Sequence, residues 1–209
     1  MTKIYPNYPI AGPPVPSISA CADGAGEVAV LTVWRKSLLF NCSGFTVFDA
    51  RGNLVFRVDN YSSKSCSEIL LMDADGKPLF MIRRKKLLIT DRWHIYDGEA
   101  SAAGRPRFSA RKHASLLQSK SMAHVIPCNW DSGPMYGVEG SFSQKSFAIY
   151  DEQRRAVAEI RRKDPVAGIA FGEDVFSLVV QPGFDHGFAM ALVILLEQMF
   201  RSRAASIKC

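Results

Sequence analysis

Apolar positions along this chain follow two regimes. From Val28 to about residue 181 they come in short runs of four to seven, rich in β-branched and aromatic residues and broken by Asp, Asn and Gly. Val28-Ala29-Val30-Leu31-Thr32-Val33-Trp34 is the first. Runs of that length and composition predict strands. Several of them belong to an internal repeat. Phe45-Thr46-Val47-Phe48-Asp49 is followed by Gly52 and a second apolar run. Ile69-Leu70-Leu71-Met72-Asp73 is followed in the same way by Gly76, and Phe147-Ala148-Ile149-Tyr150-Asp151 by Arg154. Trp93-His94-Ile95-Tyr96-Asp97 opens a fourth copy with a longer turn.

Each copy reads as a β-hairpin. An Asp at the first turn position accepts hydrogen bonds from backbone amides just ahead of it. A Gly three residues on takes the left-handed conformation that a three-residue hairpin with a bulge requires. Arg154 stands where the other copies have Gly. A side chain there costs on the order of 1 kcal/mol, so that turn is expected to differ. Asp73-Ala74-Asp75-Gly76 is no calcium loop, because Gly falls at position 4 and not 6. Hairpins at this spacing predict one long antiparallel sheet that closes on itself to bury its edges.

The second regime is the C-terminal stretch. Asp185-His186-Gly187 precedes nine consecutive apolar residues, Phe188 to Leu196, and then Glu197. Asp185 is a plausible N-cap, and a helix over about 185–201 would be ~25 Å long. A helix apolar nearly all round is buried in a core or a membrane. A bilayer span needs ~20 apolar residues, so a core helix is favoured over a tail anchor. Five prolines within residues 1–16 mark the other end as an extended arm (1–27), leaving 28–209 as one domain. Trp34, Phe45, Phe48, Phe56, Trp93, Phe147 and Phe176 are assigned to packing, and Trp130 is left open between burial and exposure.

Composition narrows the class without choosing a function. With 209 residues, 47% hydrophobic and 22% charged, the chain is neither disordered nor a fibrous or disulfide scaffold. Cys21, Cys42, Cys66, Cys128 and Cys209 are odd in number and hold no C-x-x-C pair, which fits a reducing compartment and gives zinc no support. The start lacks the apolar core of a signal peptide, so a cytoplasmic location is expected, and nothing supports lipidation of Cys209. The net charge of +6 is mild but uneven. Residues 1–82 sum to zero, so the whole excess lies in residues 83–209. It gathers in three runs: Arg83, Arg84, Lys85 and Lys86; Arg105, Arg107, Arg111 and Lys112; and Arg154, Arg155, Arg161, Arg162 and Lys163. These are the candidate anionic-ligand residues. Strands alternate faces, so only half of Arg83 to Lys86 can share one face.

A many-stranded barrel with one apolar helix at the end suggests that the helix fills the barrel, since side chains alone fill only about eight strands. At this point the residues resemble the plant LURP-one-related family, which shares the tubby-like fold with the Tubby C-terminal domain and the phospholipid scramblases. The stretches that carry the resemblance are Leu31 to Ser37, Gly44 to Asp49, Asn53 to Tyr61, Ile82 to Lys85, Arg92-Trp93, and Met190 to Gln198. The resemblance implies an all-β, 12-stranded antiparallel barrel enclosing a hydrophobic C-terminal helix. It implies a relation to phosphoinositide-binding, membrane-tethered transcription regulators, some linked to plant defence, and brings no catalytic site.

The residues themselves give none either. His94, His113, His124 and His186 are scattered, and no H-E-x-x-H or G-x-S-x-G motif occurs. Gly24-Ala25-Gly26-Glu27-Val28-Ala29 fits a dinucleotide pattern but leads into a strand, the wrong context. No catalytic residue, cofactor or metal is assigned, and the chain reads as a non-enzymatic binding module. The leading expectation is a monomer without a transmembrane span that binds anionic membrane lipid headgroups, cytoplasmic and peripheral at the cytosolic membrane face. A nuclear location, a nucleic-acid-associated module without specific readout and a protein-interaction scaffold are the alternatives.

Overall fold

The computed structural model describes residues 26–38, 44–59, 68–86, 91–99, 104–113, 120–129, 133–163, 172 and 174–200. Twelve strands run in chain order. They are β1 (Ala29–Trp34), β2 (Gly44–Phe48), β3 (Leu54–Asp59), β4 (Glu68–Asp73), β5 (Pro78–Lys85), β6 (Arg92–Asp97), β7 (Phe108–Lys112), β8 (Ser121–Pro127), β9 (Tyr136–Ser141), β10 (Ser146–Tyr150), β11 (Ala156–Arg162) and β12 (Val175–Val180). A single helix, α1 (His186–Phe200), follows. Each strand pairs antiparallel with its neighbours in sequence, and β1 closes the barrel on β12 from Ala29 opposite Val180 to Trp34 opposite Val175.

The repeat builds the hairpins as its chemistry requires. In the first copy, Asp49 Oδ1 accepts from the amides of Arg51 and Asn53, both at 2.8 Å. The amide of Gly52 donates to the Asp49 carbonyl at 3.1 Å. Asp73 and Gly76 repeat that backbone bond, and so do Asp151 and Arg154. The register shifts by one residue just before each of the three Asp residues, at Phe48, Met72 and Tyr150. That shift is the bulge the turn type carries. The turn at Arg154 does not differ from the others. Arg154 takes φ 64° and makes the same bond, so the local strain is accepted and the hairpin geometry kept.

Alternation then sorts the side chains. Leu31 and Val33 of β1, Ile82 of β5, Ile95 of β6, Ala110 of β7 and Phe176, Leu178 and Val180 of β12 point inward and are buried. They surround α1, whose residues from Gly187 to Glu197 are all buried. The helix starts where Phe188 and Ala189 donate to the side chain and carbonyl of Asp185. Phe188 stacks within 4.6 Å of Phe108 and 5.6 Å of Tyr136, while Gly187 leaves room for the Phe80 ring. Glu197, one helix length further on, meets Lys145 and Arg35 at the opposite end. The helix therefore threads the barrel along its axis.

Two assignments need correction. Trp34 is 41% exposed, because it follows the inward Val33 and so faces outward at the end of β1. Phe48 is only half-buried, for it lies beyond the register shift, opposite the outward Thr32. Phe45, Phe56, Trp93, Phe147 and Phe176 are buried as expected. Trp130 and the proline-rich stretch through residue 25 lie outside the described residues.

Candidate anionic-ligand interface

Antiparallel meander order puts the even-to-odd connections at one end of the barrel and the odd-to-even connections at the other. Between β2 and β3, β4 and β5, β6 and β7, β8 and β9, and β10 and β11, the chain turns at one end of the barrel, where α1 also enters. Between β1 and β2, β3 and β4, β5 and β6, β7 and β8, β9 and β10, and β11 and β12 it turns at the other, where α1 ends. We refer to them as the turn end and the mouth.

The candidate cations divide between them. Arg83, Arg84, Lys85 and Lys86 close β5 at the mouth, Arg111 and Lys112 close β7 there, and Arg161, Arg162 and Lys163 close β11 there. Arg105, Arg107, Arg154 and Arg155 fall at the turn end. Most of the latter are spent on local partners: Arg107 on Asp97 at 3.0 Å, Arg154 on Glu139 at 2.5 Å and Arg155 on Asp151 at 2.7 Å.

At the mouth the pairing differs along the rim. Arg84 faces the interior side, over the Trp93 ring and bonded to Asp91. Arg83 faces outward, over the Tyr96 ring, with Nε 2.8 Å from Glu68 Oε1 but outside hydrogen-bond alignment. Arg161 is held by Glu159, Arg162 donates to the Gln144 carbonyl at 3.2 Å, and Lys163 reaches Thr32 Oγ1 at 2.5 Å.

The remaining cations form a row. Lys85 lies directly opposite Arg92, Arg92 opposite Arg111, and Arg111 opposite His124. At the normal strand spacing the row spans ~15 Å across four adjacent strands, all on the outer face. Among the described residues no carboxylate forms a salt bridge with Lys85, Lys86, Arg92 or Arg111. Like charges directly opposite one another cost stability, and Lys85, Arg92 and Arg111 are so placed. Nearby imidazoles register the field. Burial, then Lys85, Arg92 and Arg83, hold His94 below its ordinary pKa. Burial, then His113 and Arg111, hold His124 below its own, with Glu139 opposing. His124 Nε2 lies 3.1 Å from His113 Nδ1, so one ring donates to the other when both are neutral.

Sequence reasoning missed Arg92 and His124, which complete the row. Both sit alone in the sequence, outside any basic run. Counting the hairpin register from Lys85 across the short connection to Arg92 would have found the first.

The mouth is also where buried charge closes the barrel. Glu197 is 1% exposed and bonds Lys145 Nζ. Its other oxygen is 3.6 Å from Arg35 Nη1 without a hydrogen bond, and Arg35 continues to Asp174 at 2.5 Å. Among the described residues no group of three His, Cys, Asp or Glu side chains could hold a metal ion.

With this geometry in hand, similarity to known proteins is informative. The LURP-one-related family profile matches residues 29–197, from the first strand to the buried glutamate of α1. The chain belongs to the LURP-one-related family. It is 47% identical over 209 aligned positions to Protein LURP-one-related 8 of Arabidopsis thaliana, covering 97% of this chain and 100% of that relative. It is 45% identical over 193 positions to Protein LURP-one-related 17 of the same plant, covering 87% of each. The X-ray structure of another Arabidopsis thaliana protein superposes with a TM-score of 0.64, covering 85% of this chain and 94% of that one. At 23% identity that likeness speaks for the fold alone. No helix among the described residues is long and apolar enough to cross a membrane.

Proposed function

We propose that this LURP-one-related barrel is a peripheral binding module for anionic lipid headgroups, with the mouth as its binding end. The observation that carries the reading is the cross-strand row Lys85, Arg92 and Arg111, like charges placed opposite one another with no salt-bridged carboxylate among the described residues, and His124 next in line. A phosphate ester on that row would remove the repulsion. Arg92 and Arg111 suit bidentate contact, and Lys85 supplies a point charge. Each basic residue near an anionic leaflet adds ~1 kcal/mol.

The test is co-sedimentation with phosphatidylcholine vesicles carrying a phosphoinositide. Replacing Lys85, Arg92 and Arg111 together by Gln should weaken binding about a hundredfold, at ~1 kcal/mol for each charge. Replacing Arg105 and Arg107 at the turn end should leave it unchanged. Equal losses from the two ends, or a wild-type protein that ignores the vesicles, would overturn the reading. Tighter binding to duplex DNA than to vesicles would move it to nucleic acid.

A further inference from the structure

The mouth holds a second feature that the cationic row does not use. The outward side of β1 carries Val30 at 48% exposure and, beyond Thr32, which is taken up by Lys163, ends at the mouth on Trp34 at 41%; Val28, just before the strand, is 43% exposed. Leu38, in the connection that follows, is 51% exposed. Single exposed apolar side chains need no explanation. Here the backbone fixes them outward. The Arg35 amide donates to the Asp174 carbonyl at 2.7 Å, and the Lys36 carbonyl accepts from Thr46 Oγ1 at 2.6 Å. Ser37 turns inward and donates to the buried Asp59 at 2.5 Å. With Arg35 and Ser37 held down, Trp34, Lys36 and Leu38 are left pointing out, and Lys36 Nζ lies 5.4 Å from the Trp34 ring centre.

A Trp, a Lys and a Leu presented side by side on a fixed backbone match the bilayer interface. Indole sits at headgroup level, aliphatic groups reach the acyl boundary, and Lys stays with the phosphates. The topology adds an orientation. In the ring of strands β1 stands six places from β7, half-way round, so Trp34 and the Lys85–Arg92–Arg111 row lie on opposite walls. A membrane touching the side of the barrel meets one of them. A membrane touching the mouth meets both.

We propose that Trp34 and Leu38 form an apolar wedge that enters the interfacial layer of an anionic bilayer, with the barrel standing mouth-down and α1 near the bilayer normal. This rests on the headgroup reading above, and it commits the mouth to a lipid surface over a free phosphate ester. Vesicles should therefore bind more tightly than the headgroup alone, and the excess should come from these two side chains.

The experiment uses the full chain with three probes: phosphatidylcholine vesicles carrying a phosphoinositide, the same vesicles with brominated acyl chains, and the soluble inositol phosphate headgroup. Trp34→Ala and Leu38→Ser should each weaken vesicle binding about tenfold, the loss expected for apolar area of this size. Neither should change binding of the soluble headgroup. In a Trp130→Phe background, brominated chains should quench part of the remaining tryptophan fluorescence on binding, and adding Trp34→Phe should abolish that part, since Trp93 is buried. Leu38→Ser, an exposed change in a connection, guards against a folding defect in Trp34→Ala. Unchanged vesicle affinity in both variants, no quenching, or equal losses on vesicles and headgroup would overturn the wedge and leave the cationic reading standing. A wild-type protein that binds neither vesicles nor headgroup would overturn both.

Discussion

The two ends of this barrel handle charge in opposite ways. At the turn end, Asp49, Asp73 and Asp151 fold back on the amides of their own tight turns, and Asp185 caps α1. Their negative charge is absorbed by backbone N–H groups within four residues. At the mouth, positive charge projects outward in a row, while two carboxylates, Asp59 and Glu197, are buried. The helix dipole runs along the same axis, its positive end at the acidic turns and its negative end near Lys145, Arg35 and Lys112. The helix carries no basic residue in its last turn, so the strands supply that complement. Charge that is local to a turn is structural. Charge assembled across the neighbouring strands β5, β6 and β7 has no such partner within its own turn.

The largest test of this contrast concerns buried charge. Lys145 is held at φ 50° with its ammonium on Glu197 and over the rings of Phe142 and Phe176. Lys145→Met would leave Glu197 buried with Arg35 as its only ion-pair neighbour among the described residues. Removing one partner of such a pair costs ~3 kcal/mol or more. Urea unfolding should show that loss, and Lys145→Met with Glu197→Leu should recover most of it. Equal stability of the single and double variants would mean that water, not Lys145, neutralises the glutamate.

The cationic row carries the next effect, of the opposite sign. If the row is kept for a ligand, the free protein tolerates repulsion across two strand pairs, Lys85 with Arg92 and Arg92 with Arg111. Replacing Lys85, Arg92 and Arg111 by Gln should therefore raise the thermal midpoint, by ~1 kcal/mol in all at ~0.2–1 kcal/mol for each like-charged pair. The same variant should lose vesicle binding. A variant that loses both stability and binding would show that these side chains pack the rim, and the contrast between the ends would fail.

What could be read from the sequence follows the same division. The turns were legible because Asp49, Asp73 and Asp151 act on amides a few residues away, and the core helix because Phe188 to Leu196 is apolar on every face. Where the cations would land was not. Whether Arg111 and Arg107 share a wall or stand at opposite ends depends on strand length and register, and it is the pairing register of β5, β6 and β7 that places Lys85, Arg92 and Arg111 in one line. Trp34 was assigned to the core for a related reason. Val28 to Val33 is apolar at nearly every position, which hides the alternation that sends Val33 inward and Trp34 out.

A smaller effect separates the third turn from the first two. Gly52 sits at φ 85° with nothing near the place a Cβ would occupy. Gly52→Ala should cost ~1 kcal/mol from backbone conformation alone. Arg154→Gly should gain about half as much. The relief of φ 64° is offset by greater freedom of the unfolded chain and by the loss of an exposed ion pair with Glu139. Chemical denaturation of both variants measures the two signs directly.

The smallest expected effect is a pH dependence in which stability and binding move in opposite directions. His124 is flanked by Arg111 on β7, by His113 beyond the end of β7 and by Glu139 on β9. Its folded pKa lies below the ordinary 6.5, through burial and then through His113 and Arg111. The unfolded chain therefore takes up its proton first. This histidine's contribution to stability is complete above about 6.5 and is lost as pH falls through the depressed folded pKa. A bound phosphate does the reverse: it stabilises the imidazolium beside Arg111, so binding takes up a proton and tightens as pH falls. Vesicle affinity should rise as pH is lowered across that range in the wild type, and His124→Gln should flatten the rise. His94, depressed by burial and by Lys85, Arg92 and Arg83, adds a parallel term from the other side of the row. An affinity that stays flat or weakens as pH is lowered would place the anion away from Arg111 and His124, and would confine any lipid contact to the opposite rim.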